Sequence, residues 1–423
     1  MSESPIRIHR KSASPTTALT LSALPPLALY VHLPWCLKKC PYCDFNSHEL
    51  APKTPLASPP QGGAFGLGRP GAEPGTGMLP EARYLDALVA DLDAALPQVW
   101  GRRVISVFIG GGTPSLFSPA SIERLIGDIR ARLPLEPGCE ITLEANPGTF
   151  ELERFHAYRA AGVTRLSVGV QSFDDTLLER IGRVHDGEQA RAALAEAREA
   201  FETFNLDLMY ALPGQSLAQL QADLDIALSF EPPHLSIYHL TVEPNTAFAN
   251  APPALPDDDA ASDMLDAIVA RTQAVGLARY EVSAFALAGH RCTHNLNYWQ
   301  FGDYLGIGAG AHGKLSFADR IVRQVRWREP AMYIDKALAG QALSNEHAVA
   351  ADQLPLEYMM NALRLAEGFE LARFAERTGQ SVAVIDAAMQ RAQAQGLIEL
   401  AGAWVRPTPR GFDFLSDLQA LFL

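Results

Sequence analysis

Three cysteines fall within eight positions, Cys36-Leu-Lys-Lys-Cys40-Pro-Tyr-Cys43, in a chain of 423 residues. A compact CxxxCxxC loop can turn three thiolates toward one side of a [4Fe–4S] cube, which leaves the fourth iron without a protein ligand. An open iron is a position where an amino group and a carboxylate can chelate, as those of S-adenosylmethionine do. The chemistry expected there is one-electron cleavage of a sulfur–carbon bond, with the protein positioning, tuning and shielding the reactants. The same thiols with His32 or His48 as a fourth ligand would instead make a closed zinc site. Cys139 and Cys292 stand alone and the total of five cysteines is odd. Metal ligation in a reducing compartment is therefore expected rather than a disulfide framework.

Such a loop needs a scaffold and partners from elsewhere in the chain. The run Leu27-Ala-Leu-Tyr-Val-His-Leu33 has the length and composition of a buried strand and ends at Pro34, directly before the cysteines. After a Gly- and Pro-rich stretch at about 51–80, read as a surface insertion, the pattern alternates. A helix at 81–96 precedes a strand at 104–109, a helix at 119–132, a strand at 140–144, a helix at 151–161 and a strand at 165–169. Helices across 174–203, a strand at 204–209, a helix at 216–229 and a strand at 235–240 complete the series. About six strands alternating with helices predict a parallel sheet with right-handed crossovers, an α/β fold of the partial (β/α)6 TIM-like barrel type.

In such barrels reacting groups gather at the C-terminal ends of the strands. Cys36 follows the first strand, Gly110-Gly-Gly-Thr113 the second, and Glu144 closes the third; Gln171 follows the fourth and Asp207 lies in the fifth. Five segments are thus expected to meet at one mouth. The glycine run lets backbone approach a ligand closely, with amides or carbonyls free to bond a methionine head group. Glu144, Arg183 and Asp207 are candidate contacts for ribose hydroxyls, amine and carboxylate, although charges more often lie in solvent or in salt bridges. Gln171 adds a neutral donor and acceptor.

The remainder is less regular. Residues 1–26, rich in Ser, Thr and Pro, read as a loose arm, and 257–350 as an extension of the 27–256 core. The part from 351 to 423, with three helices, a short hairpin and a last helix, suggests a winged-helix-like module. It has no basic recognition helix, and the net charge of −13, from 35 basic and 48 acidic residues, gives no field to hold a nucleic-acid backbone. A composition of 48% hydrophobic and 20% charged residues is ordinary for a globular protein. No apolar run approaches the roughly 20 residues of a spanning helix, and the N-terminus lacks the apolar core of a secretory signal. A cytoplasmic protein without a membrane anchor is expected. No heptad or interface stripe specifies an oligomeric state.

The stretch from Tyr30 to Asn46 (YVHLPWCLKKCPYCDFN) resembles the radical-SAM enzymes related to oxygen-independent coproporphyrinogen III oxidase. The resemblance continues through Phe108–Ser115, Glu144–Gly148, Gly169–Phe173, Asn205–Met209 and His294–Trp299, and covers most of the chain from about residue 27. It implies a radical-SAM fold and a [4Fe–4S] cluster on Cys36, Cys40 and Cys43. It also implies S-adenosylmethionine contacts at Tyr30, Gly111, Gly112, Thr113, Glu144, Gln171, Arg183 and Asp207. The oxidase carries a further cysteine two positions after the third, where this chain has Phe45, and this departure puts porphyrinogen decarboxylation in doubt. The segment His294-Asn-Leu-Asn-Tyr-Trp299 resembles instead the HNxxYW motif of the HemW-type heme chaperones, which bind heme and pass it to acceptor proteins. On that resemblance heme is an expected ligand, with His294, Tyr298 and Trp299 as its contacts. Heme-accepting proteins, a respiratory-chain protein among the candidates, are expected partners. A radical-SAM oxidoreductase acting on a porphyrinogen is the alternative. The residues themselves support heme only in type: iron takes an imidazole, thiolate or phenolate, and the ring takes an aromatic wall. Cys292 and His312 lie close by in sequence, and a lone histidine is more often a hydrogen-bonded structural residue.

Overall fold

The computed structural model describes residues 19–50, 79–149 and 152–423. Residues 1–18 of the expected arm and nearly all of the expected insertion at 51–80 lie outside the described residues. Six strands, β1 (Leu27–Leu33), β2 (Val104–Gly111), β3 (Leu135–Ala145), β4 (Arg165–Gln171), β5 (Thr203–Tyr210) and β6 (His234–His239), pair side by side in that order, all parallel. Their outward-facing residues are continuously apolar because crossover helices cover that face. The helix Pro119–Arg132 is representative. Ser118 caps it by accepting from the Ser121 amide, Pro119 occupies its first turn, and Ile122, Leu125, Ile126 and Ile129 are its buried stripe. Capping boxes at Asp186/Gln189 and Ser216/Gln219 start two further crossover helices.

The sheet does not stop at six strands. Two short strands, β7 (Ala278–Arg279) and β8 (Ala284–Ala286), extend it beyond β6. On the other side β9 (Asp303–Ile307) pairs parallel to β1 and is followed by antiparallel β10 (His312–Ser316), β11 (Ile321–Arg326) and β12 (Leu343–Ala348). The result is one twelve-stranded sheet, ordered β12-β11-β10-β9-β1-β2-β3-β4-β5-β6-β8-β7. The part read from sequence as an extension is therefore continuous with the barrel sheet. Its charges hid it: Asp303 and Lys314 pair at 3.0 Å with both side chains buried, Arg102 joins Asp303 at 2.9 Å, and Arg326 meets buried Asp91 at 3.2 Å.

The C-terminal region has a core of its own, formed by the helices Leu354–Ala362, Leu371–Thr378 and Asp386–Ala394 with a three-stranded sheet (Phe369–Glu370, Trp404–Pro407, Ile398–Ala401). Leu21 is buried in that core, and its amide bonds the Ala318 carbonyl at 3.0 Å. The arm expected to residue 26 is thus anchored at one point within its described part, where an apolar Leu reaches the second core, while residues 22–24 remain exposed. Among the described residues no helix is long and apolar enough to cross a membrane.

Candidate functional site

A cavity of about 520 Å³ opens at the C-terminal ends of the parallel strands. Cys36, Cys40 and Cys43 line it, together with Gly111, Gly112, Thr113, Glu144, Gln171, Arg183 and Asp207. Ten of the residues singled out in the sequence are thus drawn to one space. Tyr30, His294, Tyr298 and Trp299 are not on its wall.

The cysteine loop is held from both sides. Trp35–Cys36 pairs with His48–Glu49, and the Cys43 amide turns back on the Cys40 carbonyl at 3.1 Å. The Asn46 amide group donates to the carbonyls of Ala309 and Arg328, each at 2.8 Å, so the β9–β11 part of the sheet anchors the loop. Tyr84 links the same two regions by donating to the His32 carbonyl and accepting from the Ala309 amide, both at 2.8 Å. Burial pushes the Cys36 thiol up to about 11, while the Thr113 hydroxyl bonds it and opposes that rise. A cationic group in the loop would offset the cost of the thiolate charge.

Each of the two histidines offered as a fourth zinc ligand is engaged elsewhere. The His32 ring nitrogens meet the Tyr30 hydroxyl and the Asn46 carbonyl, each at 2.9 Å, and burial drives its pKa down to about 4. The His48 Nε2 meets the Asn46 side-chain oxygen at 3.2 Å. Tyr30 thereby supports His32 from behind the cavity wall, stacked on Phe108 with ring centroids 6.3 Å apart.

The glycine turn after β2 is shaped by close approach. A Cβ on Gly111, whose φ is +119°, would lie 2.6 Å from the His32 ring, and one on Gly112 would lie 2.5 Å from the Trp35 carbonyl. Its amides are already committed: Gly111 donates to the Glu144 carboxylate at 3.1 Å, Gly112 to the Leu33 carbonyl at 2.8 Å and Thr113 to the Trp35 carbonyl at 2.7 Å. The Thr113 carbonyl is committed as well, accepting from the Leu116 amide at 3.0 Å, so the groups expected to face a ligand narrow to the carbonyls of the glycines. Across the cavity Gln171 adopts a left-handed φ of +69°, where β4 shifts register against β5. A non-glycine residue in that region is backbone strain at a candidate site.

Arg183 donates to the Asn146 side chain at 2.6 Å, the Gly169 carbonyl at 2.7 Å and the Cys40 sulfur at 3.6 Å, and its buried Nε has no partner. The two acids share the interior. Burial, and then the charge of Asp207, raise Glu144 to about 7. Burial also raises Asp207, against bonds from Ser167 at 2.9 Å and Asn205 at 2.7 Å. Asp207 begins a chain that runs through Asn205 to His234 at 2.6 Å and on to the Tyr280 hydroxyl at 2.8 Å.

That chain belongs to a feature missed in the sequence. Alternate residues of four strands point into the cavity: Thr142 and Glu144; Arg165, Ser167 and Gly169; Asn205 and Asp207; His234, Ser236 and Tyr238. Their period of two was visible as polar residues recurring within apolar strands.

The helix Thr293–Trp299 packs against β1, β2 and β9. Glu140 receives its first amides, Thr293 and His294, at 3.1 Å each. His294 is buried, with Nδ1 against the Ser106 hydroxyl at 3.1 Å and its ring stacked on Phe108 at 4.9 Å. Burial lowers its pKa to about 3, which keeps the imidazole neutral. Tyr298 stacks on Tyr304 at 4.2 Å. Trp299 lies about 140° around the helix axis from His294, at 100° per residue, under the Arg364 guanidinium at 4.2 Å.

An open, mostly parallel sheet with a CxxxCxxC loop after its first strand defines the class to which this chain's architecture belongs. The model of the Radical SAM superfamily matches residues 30–227, and that of the HemN C-terminal domain residues 349–414. The chain is 45% identical over 403 residues to the heme chaperone HemW of Escherichia coli, covering 95% of this chain and 99% of that one. It is 34% identical over 390 residues to the heme chaperone HemW of Bacillus subtilis, covering 90% and 95%. The solved structure of coproporphyrinogen III oxidase HemN from Escherichia coli, described as a radical SAM enzyme, has the same fold: TM-score 0.75 at 23% identity, over 94% of this chain and 90% of that one. The chain belongs to the radical-SAM superfamily and, within it, to the HemW family.

Proposed function

We propose that this chain is a heme chaperone that carries a [4Fe–4S] cluster on Cys36, Cys40 and Cys43, with S-adenosylmethionine on the fourth iron, and that it delivers heme to an acceptor protein. Support for the cluster and its ligand comes chiefly from one observation: three thiols and seven of the polar or glycine positions singled out in the sequence share one 520 Å³ cavity. The fit is chemical as well as spatial. A glycine cradle that any Cβ would fill and an unpaired, buried Arg183 Nε both suit a ligand with carboxylate and amine groups. When bound, the cluster and the sulfonium supply an electron and a cleavable carbon–sulfur bond. In this proposal the chain's own residues do the positioning. Glycine carbonyls of the Gly110–Gly112 turn receive the amine, Arg183 and Gln171 hold polar groups of the head, and Glu144 and Asp207 accept from ribose hydroxyls. Tyr30 fixes His32, on which Gly111 is packed.

The heme part of the proposal is supported by relatives that carry the name heme chaperone along nearly their whole length and by Phe45 in place of the oxidase cysteine. Its segment is the helix Thr293–Trp299, whose residues stand in two relations to a ligand. Trp299 borders a second cavity, whereas His294 is enclosed and meets heme iron only after the helix moves. Hemin titration of the full chain, followed by the Soret band, tests the reading. Saturable binding and onward transfer to an apo-protein are expected. Release of carbon dioxide from coproporphyrinogen III at enzymatic rates would replace the chaperone with an oxidase. Parallel titrations of His294→Ala and Trp299→Phe sort the two relations, since loss confined to the first requires a displaced helix.

A further inference from the structure

The second cavity, of about 180 Å³, lies between the Thr293–Trp299 helix and the C-terminal domain. Trp299 contributes from that helix, Tyr358 from Leu354–Ala362 and Arg373 from Leu371–Thr378. Tyr358 is fully buried, at 0% exposure, and its hydroxyl has no hydrogen-bond partner. The Trp299 indole Nε1 is likewise buried and unpaired. Arg373 has no salt-bridge or hydrogen-bond partner among the described residues, and its charge acts on the Tyr358 phenol. Folded chains rarely leave buried donors unpaired, because each one loses its bonds to water without replacement.

None of the acceptors on the cavity wall, the Gln300 and Glu370 side chains included, bonds the Trp299 Nε1 or the Tyr358 hydroxyl. The Glu367 carboxylate takes Arg291 at 3.0 Å, its carbonyl takes the Trp404 indole at 2.5 Å, and Glu370 is exposed. The residues that carry these three donors therefore line one small space, together with apolar Leu296, Leu365 and Phe369 and polar Arg291, Gln300, Glu367 and Glu370. With Arg291 and Arg373 balanced in charge by Glu367 and Glu370, selection rests on where the donors stand rather than on net charge.

We propose that this cavity takes the carboxylate end of an organic ligand, its oxygens accepting from the Trp299 Nε1, the Tyr358 hydroxyl and the Arg373 guanidinium. The volume is well below the roughly 300–1,000 Å³ of pockets that enclose a whole ligand, so an arm enters and the body stays outside. Two sources share this chemistry: a propionate of a porphyrin, which rests on the heme reading above, and a free small carboxylic acid, which does not.

The test titrates hemin and hemin dimethyl ester into the full chain as wild type, Arg373→Gln and Tyr358→Phe, and measures thermal stability with and without succinate. The expected result is that wild type binds the free acid about tenfold or more tightly than the ester, the range of a hydrogen bond to a charged group. Both variants lose most of that preference. Tyr358→Phe also removes an unpaired buried hydroxyl, so its ligand-free Tm stays level or rises, which a merely structural tyrosine would not allow. If hemin shows no acid preference, or fails to bind, while succinate raises the Tm of wild type and not of Arg373→Gln, the carboxylate site stands with a free acid as its ligand; failure of hemin to bind at all would remove the heme reading alone. Identical hemin selectivity and identical succinate response in all three proteins would overturn the inference.

Discussion

The cysteine loop and the Thr293–Trp299 helix each carry a compact motif, yet the fold treats them in opposite ways. The loop turns Cys36, Cys40 and Cys43 into one cavity with uncommitted groups around them, and Arg183 keeps a spare buried N–H there. The helix divides its motif, with His294 committed to Ser106 and Phe108 inside the barrel and Trp299 facing the C-terminal domain. The difference follows from backbone geometry. Residues three or four apart in a tight loop can converge, whereas residues five apart on a helix point to different sides. One motif therefore gathers its three thiols at a single cavity, as the proposed cluster requires, and the other is mainly a brace between two parts of the molecule.

The largest effect that would sharpen this contrast is expected at the loop. Replacing any one of Cys36, Cys40 or Cys43 with Ala should reduce iron in anaerobically reconstituted protein from about four atoms per chain to near zero, while circular dichroism stays native; retained iron in a folded variant would remove that cysteine from the ligand set. On the helix the effect should fall on stability. His294→Ala opens a buried space and leaves Ser106 unpaired, so denaturant unfolding should show a loss of about 2–4 kcal/mol. A loss below about 0.5 kcal/mol, the level of an ordinary surface change, would contradict its role as a brace.

Two pH effects with opposite signs follow. His294 has a folded pKa of about 3, below its unfolded value near 6.5. The stability it confers is complete above pH 6.5 and is lost as pH falls toward 3. Glu144, raised to about 7, binds its proton more tightly folded than unfolded, so its contribution is present below about pH 4.5 and is lost as pH rises through 7. At pH 8 Glu144→Gln should therefore be more stable than wild type by about 1–2 kcal/mol, a figure reduced because this side chain faces a cavity open to water. Equal stability of the two proteins across pH 5–8 would show that Glu144 is not held in a strongly desolvated position. The smallest effect is expected from Phe45→Cys. Phe45 is 64% exposed, and an added thiol there should leave iron at about four atoms per chain and create no decarboxylation of coproporphyrinogen III. Gain of that reaction would make residue 45 the switch between the two activities.

The same contrast explains what could be read in advance. Six parallel strands were legible because each is a short apolar run bounded by helix signals, and the cysteine loop was legible because its geometry is local. The strands β9–β12 were not, since Asp303, Lys314 and Arg326 resemble surface charges until their partners are known. The polar interior was legible only in part. Glu144 and Asp207 stood out, but Arg165, Asn205 and His234 follow the same two-residue alternation and passed for ordinary strand residues. Committed amides at Gly111, Gly112 and Thr113 depend on strands brought together by the fold, which no local pattern encodes.

Electron paramagnetic resonance of the reduced, reconstituted full chain, with and without S-adenosylmethionine, tests the central claim most directly. A three-cysteine cluster with an open iron should give a [4Fe–4S]⁺ signal whose g-values shift when S-adenosylmethionine is added, and the shift should weaken in Arg183→Gln. Stoichiometric zinc without iron, or a cluster signal that S-adenosylmethionine leaves unchanged, would contradict it.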